Sequence, residues 1–124
     1  MVDVRTIDAD SGRDSEAWDA FVAARAEATF FHRAGWQRVI QTATRHACPY
    51  LLAEAGGEPV GVLPLTLVKS ALFGRRLVST GFCVHGGPLA IDTAARDALV
   101  ARARQIAADS DAACVEYRCA LPEA

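Results

Sequence analysis

Polar and apolar residues alternate from Val2 to Ile7, which predicts a first strand. Ser11-Gly12-Arg13-Asp14 reads as a turn, with Asp14 or Ser15 placed to cap a helix. Trp18, Phe21, Val22 and Arg25 then recur at helical spacing until Thr29-Phe30-Phe31 breaks it. A second apolar stripe, Trp36, Val39, Ile40 and Ala43, predicts a second helix that Pro49 stops. Tyr50 to Glu54 and Val60 to Val68 predict two strands of a hairpin around the turn Gly56-Gly57-Glu58-Pro59. Pro64 inside the longer strand marks a bulge or an edge position. Lys69 to Arg76 is a polar, basic loop, and Leu77 to Phe82 is the next strand. Cys83 to Pro88 is a loop, because Gly86-Gly87-Pro88 suits neither helix nor strand. Asp92 or Thr93 caps a third helix whose apolar face is Leu99, Val100, Ala103, Ile106 and Ala107. Asp109-Ser110-Asp111 ends it, and Ala113 to Cys119 is a last strand. The predicted order is β-α-α-β-β-β-α-β, an α/β (α+β) arrangement in which helices flank a mixed sheet, and residues 1–124 form one domain.

Composition narrows the function classes more than the fold. The 124 residues carry a formal net charge of -2, whereas nucleic-acid binding leaves a strongly basic footprint, so direct nucleic-acid binding is not expected. The apolar runs are short and broken by Gly and Pro, and none approaches the roughly 20 residues needed to cross a bilayer. Met-Val-Asp-Val-Arg does not open a signal peptide, and the expected location is the cytoplasm. The four cysteines, Cys48, Cys83, Cys114 and Cys119, are therefore expected as thiols. No Cys-x-x-Cys pair occurs, and the odd separation of Cys114 and Cys119 places them on opposite faces of a strand, so no metal site is expected.

The element order matches the first two thirds of the GNAT fold, and several local stretches make the match more specific. Phe30-Phe31-His32-Arg33-Ala34-Gly35-Trp36 resembles the entry into the second helix of FemAB-like proteins. Leu51-Leu52-Ala53-Glu54 with Gly61-Val62-Leu63-Pro64-Leu65 resembles their central hairpin. Lys69 to Gly74, Leu77-Val78-Ser79 and Phe82 to Leu89 are similar to the branch found beside exosortase/PEP-CTERM and exopolysaccharide genes. The resemblance implies the N-terminal, incomplete GNAT-like domain of an acyl or aminoacyl transferase acting on cell-envelope precursors. It implies two such domains in tandem, so the expected partner is a C-terminal GNAT-like domain or a second copy of this chain. A peptidoglycan or polysaccharide precursor is the implied acceptor, and aminoacyl-tRNA or acyl-CoA the implied donor. The competing expectation is a non-catalytic dimerisation or docking module.

One departure from the GNAT pattern bears on the donor. In acyl-CoA-using members, a glycine-rich turn after the fourth strand runs directly into a helix, and backbone N–H groups there hold the pyrophosphate. Here Cys83 to Pro88 has different glycine spacing, and Pro88-Leu89-Ala90-Ile91 separates it from the helix capped near Asp92. No cofactor is therefore expected in this chain, which is expected to be inactive alone. Candidate substrate-binding residues are Lys69, Arg75 and Arg76, whose cations suit a phosphate or carboxylate. His85, Gly86 and Gly87 join them, because paired glycines admit close approach of backbone to a ligand. Trp36 is a candidate for a cleft wall. No catalytic residue is assigned, since no Ser-His-Asp set, phosphate-binding loop or carboxylate pair is visible.

Overall fold

The computed structural model describes residues 2–8, 12–24, 34–44, 47–70, 74–79, 89–110, 112 and 115–116. The elements in chain order are β1 (Val2–Ile7), α1 (Gly12–Ala23), α2 (Gly35–Thr44), β2 (Tyr50–Ala55), β3 (Glu58–Leu63), β4 (Leu65–Ser70), β5 (Gly74–Ser79), β6 (Leu89–Ala90), α3 (Thr93–Asp109) and β7 (Val115–Glu116). They form an antiparallel sheet of order β1-β2-β3-β6 and a second sheet of order β4-β5-β7.

The hairpin predicted at the Gly-Gly turn is present and tighter than expected. Gly56 and Gly57 have φ of 60° and 83°, the left-handed values that a two-residue hairpin turn of the I′ type demands. Glu58 and Pro59 accordingly belong to β3 rather than to the turn. The register steps between Ala53↔Gly61 and Glu54↔Pro59, so Val60 is an extra, bulged residue.

Pro64 is the hinge between the sheets. The predicted single strand Val60 to Val68 is instead β3 and β4, ending and starting on either side of this buried proline. Proline has no N–H to give to a ladder, so pairing is interrupted there. The opposing chain is interrupted as well. Leu65 pairs with Ser79 and Val62 with Leu89, so the partner chain advances much further than β3 and β4 do between the two pairs. Residues 80–88, outside the described residues, make up that difference, and β6 re-enters the line that β5 left. Sequence periodicity could not reveal β6, which contains only Leu89 and Ala90.

The sheet faces divide the core in two. Tyr50 and Leu52 join Ile7, Val62 and Leu89 beneath α1, which contributes Trp18, Phe21 and Val22. The Trp18 and Tyr50 rings stack at 5.1 Å. Leu51, Ala53 and Leu63 point the other way, toward Ala95, Leu99, Ala103 and Ala107 of α3. Leu65, Leu67 and Leu77 extend that second cluster into the other sheet, so α3 packs across both sheets. Gly61 is where α3 comes closest. A Cβ there would lie 2.9 Å from Leu99 Cδ1 and 3.2 Å from the Leu89 carbonyl oxygen.

Two helices depart from expectation. The first starts at Gly12, so Asp14 lies in its first turn and not at its cap. In α2 the side chains turned inward are Gln37 and Ile40, with Trp36 packed partly against the core. Val39 is 53% exposed, and Ala43 is exposed too. The expected stripe is thus rotated, because Gln37 satisfies buried carbonyls that an apolar residue could not. For the predicted last strand, only Val115–Glu116 falls within the described residues, and it pairs parallel to β5.

Candidate functional site

Two places where polar groups gather lie at opposite ends of α3. At its N-terminus, Ile91 and Asp92 link β6 to the helix. The Ala95 N–H donates to Asp92 Oδ1 at 2.9 Å, and the Arg96 N–H to the Asp92 carbonyl at 3.1 Å. The predicted Asp92 cap is therefore present, and a carboxylate of the chain itself occupies part of the anion-attracting helix end. The segment entering the helix contains no glycine, and Leu89 is buried in the core rather than held open.

At the C-terminal end lies an open cleft of about 520 Å³. Ile7, Cys48, Leu67 and Ile106 give it an apolar floor, with Thr6, Asp8, Gln41 and Ser110 among its polar residues. Its walls are tied together. Gln37, 3% exposed, donates from Nε2 to the Ile7 carbonyl at 3.0 Å and to the Cys48 carbonyl at 2.8 Å. The Leu67 N–H donates to the Ala47 carbonyl at 2.8 Å, joining β4 to the segment that enters β2. Burial pushes the Cys48 thiol above its ordinary pKa, and a 3.5 Å contact with Thr66 Oγ1 offsets part of that rise. A thiol so placed is a core group and a weak nucleophile.

The predicted site residues fare differently. Arg75 is exposed on β5 and donates from Nη1 to the Ser110 carbonyl at 3.0 Å. The last turn of α3 has no basic residue of its own, so Arg75 supplies the cation that a helix C-terminus favours. Lys69 stands opposite Arg75 in the β4–β5 register and Arg76 opposite Val68; the side chains of Lys69 and Arg76 lie outside the described residues. The expected loop from Lys69 to Arg76 is largely strand, since β4 runs to Ser70 and β5 begins at Gly74. Trp36 is half-buried against the core and does not line the cleft, although its neighbour Gln37 does. His85, Gly86 and Gly87 lie outside the described residues, as do Phe30, Phe31 and Cys83. Sequence reading missed Asp8, Gln41 and Ser110. They are far apart in the chain and meet only because α2, β1 and α3 end at one place.

A separate polar cluster ties α1 to the sheet. Arg5 donates to Asp14 at 2.9 Å and to Glu54 at 2.7 Å. These bonds raise the Arg5 pKa further and lower that of Asp14.

No family model and no curated protein matches the sequence. Solved structures do match. The chain is similar to a ribosomal-protein-alanine N-acetyltransferase from Brucella melitensis biovar Abortus 2308, with a TM-score of 0.67 and 15% identity over 98% of this chain and 83% of that one. The chain has a GNAT-like fold. It is also similar to a transcriptional regulator from Bacillus halodurans C-125 (TM-score 0.65, 15% identity, 94% of this chain and 81% of that one). A third match is a tandem GNAT protein from the clavulanic acid biosynthesis pathway, at TM-score 0.65 and 18% identity. There the GNAT-like chain covers 90% of its own length and 34% of the other protein. Among the described residues, no helix is long and apolar enough to cross a membrane, and no group of three or more His, Cys, Asp or Glu is placed to hold a metal ion.

Proposed function

We propose that this GNAT-like chain is the acceptor-side domain of a FemAB-like acyl or aminoacyl transferase that works on cell-envelope precursors, with its donor held by a second GNAT-like domain. One observation carries the reading. The entry into α3, where an acyl-CoA-using GNAT enzyme presents free backbone N–H groups to a pyrophosphate, is partly occupied in this chain by the Asp92 carboxylate, which accepts from the Ala95 N–H. A pyrophosphate brought there would displace that cap and meet its negative charge. The match to one third of a tandem GNAT protein supports a paired arrangement. The test is calorimetric titration of the purified chain with acetyl-CoA, followed by a turnover assay with a primary amine. The expected result is no saturable binding below about 1 mM, weaker than about -4 kcal/mol, and no turnover above background. Micromolar binding, or acetylation at an ordinary enzyme rate, would sink the reading.

A second reading, a docking or dimerisation module, is favoured by the outward turn of α2, which leaves Val39 and Ala43 on the surface beside half-buried Trp36. Its occupant is a second copy of the chain. Light scattering at micromolar concentration is then expected to give a dimer that Val39→Glu converts to a folded monomer. A wild-type monomer would count against it.

A further inference from the structure

We infer that the cleft at the C-terminal end of α3 binds a small molecule carrying a protonated amine on an apolar body. The inference does not depend on the acyl-transfer reading, since the cleft lies about 25 Å from Asp92 by the rise of a helix, α3 having 17 residues. Its volume of about 520 Å³ falls within the range of ligand sites, roughly 300–1,000 Å³.

The lining sets the chemistry of the ligand. Asp8 is the single formally charged residue among the described residues that line the cleft. It is exposed at the end of β1, so its carboxylate can meet a cation without prior desolvation. The end of α3 at Ser110 already carries Arg75 on its carbonyl, so the attraction for a cation comes from Asp8 and not from the helix dipole. Arg75 is held on the Ser110 carbonyl and is not among the lining residues, so among the described residues the formal charge lining the cleft is negative. Thr6 and Gln41 can accept a hydrogen bond from an ammonium group, while Ile7, Leu67 and Ile106 offer surface to a short alkyl chain. The walls are set in advance. Gln37 locks α2 to the end of β1 and to Cys48, two residues before β2, and the Leu67–Ala47 bond ties β4 to the segment that enters β2. A ligand would then not have to order the site on entry.

The test compares three probes that share one alkyl body: hexylamine, hexanol and hexanoate. Each is titrated into the full chain at neutral pH while backbone amide shifts are followed by NMR. Hexylamine is expected to shift the Thr6, Asp8 and Ile106 amides saturably with a Kd of about 1 mM, ordinary for so small a ligand. Hexanol is expected to bind at least about fivefold more weakly, and hexanoate not at all, because a hydrogen bond to a charged group contributes about 1.5 kcal/mol or more. Asp8→Asn, an isosteric change at an exposed position, should bring hexylamine down to the level of hexanol. Ala47→Trp, on the exposed rim, should abolish shifts from both. Equal binding of hexanoate, indifference to Asp8→Asn, or shifts confined to other parts of the chain would overturn the proposal. So would the absence of any saturable shift with hexylamine. Asp8→Asn carries the test by itself if Ala47→Trp fails to fold.

Discussion

Gly61 shows what a single missing atom can decide. Its φ is unremarkable, so the position needs glycine for space alone. Of the two nearest atoms, Leu99 Cδ1 can move by a rotamer change, but the Leu89 carbonyl oxygen belongs to a paired strand and cannot. Gly61→Ala is therefore expected to destabilise the fold by about 1–3 kcal/mol, the usual cost of overpacking a well-filled core, measured by urea denaturation. Adding Leu99→Ala should recover only part of the loss, and full recovery would show that the strand contact is unimportant. Nothing in the sequence distinguishes Gly61 from a glycine that serves a turn. Gln37 is hidden in the same way. By composition it belongs on a solvent face, yet its amide is what closes the Ile7 and Cys48 carbonyls. A polar residue inside an apolar period is legible only once its partners are known.

Among elements, legibility followed periodicity. The first strand is readable from the alternation Val2-Asp3-Val4-Arg5, although Ile7 falls on the opposite face, and the third helix from its apolar face and its side-chain cap at Asp92. The second helix lies where the sequence places it with its face rotated, since Trp36 and Ile40 of the expected stripe turn inward with Gln37 while Val39 and Ala43 turn outward. The first helix is held by an element it does not touch in sequence. Arg5 of β1 reaches both Asp14 of α1 and Glu54 of β2. The lowered Asp14 pKa gives a pH test with a definite sign. A carboxyl group lowered in the folded state stabilises fully above its unfolded pKa, about 3.9, and that contribution is lost as pH falls through the lower folded value. The melting temperature of the wild type should therefore exceed that of Asp14→Asn at neutral pH, and the gap should shrink below about pH 4 and close in stronger acid. The pair is exposed, so a small gap that salt reduces is expected. A gap that widens on acidification would contradict the arrangement.

For the whole molecule, the fold class was legible and the division into two sheets was not. The β-α-α-β-β-β-α-β order captures each helix among the described residues, because layer architecture follows from the order of elements. The split depends on Pro64, whose effect on pairing cannot be told in advance from that of a bulge or an edge, and on β6, too short to carry a period. The cleft was illegible for a related reason: its lining comes from five separate stretches of chain, with Asp8 and Ser110 at the ends of β1 and α3. The manner in which β6 takes up the line left by β5 also bears on how such a domain can diversify. The connection between Ser79 and Leu89 leaves the edge of β4 and rejoins at β3, on the two sides of Pro64, so its length can change without shifting the register of either sheet. The entropic penalty of lengthening such a connection grows only logarithmically. A longer or shorter connection at this point is therefore compatible with one unchanged core.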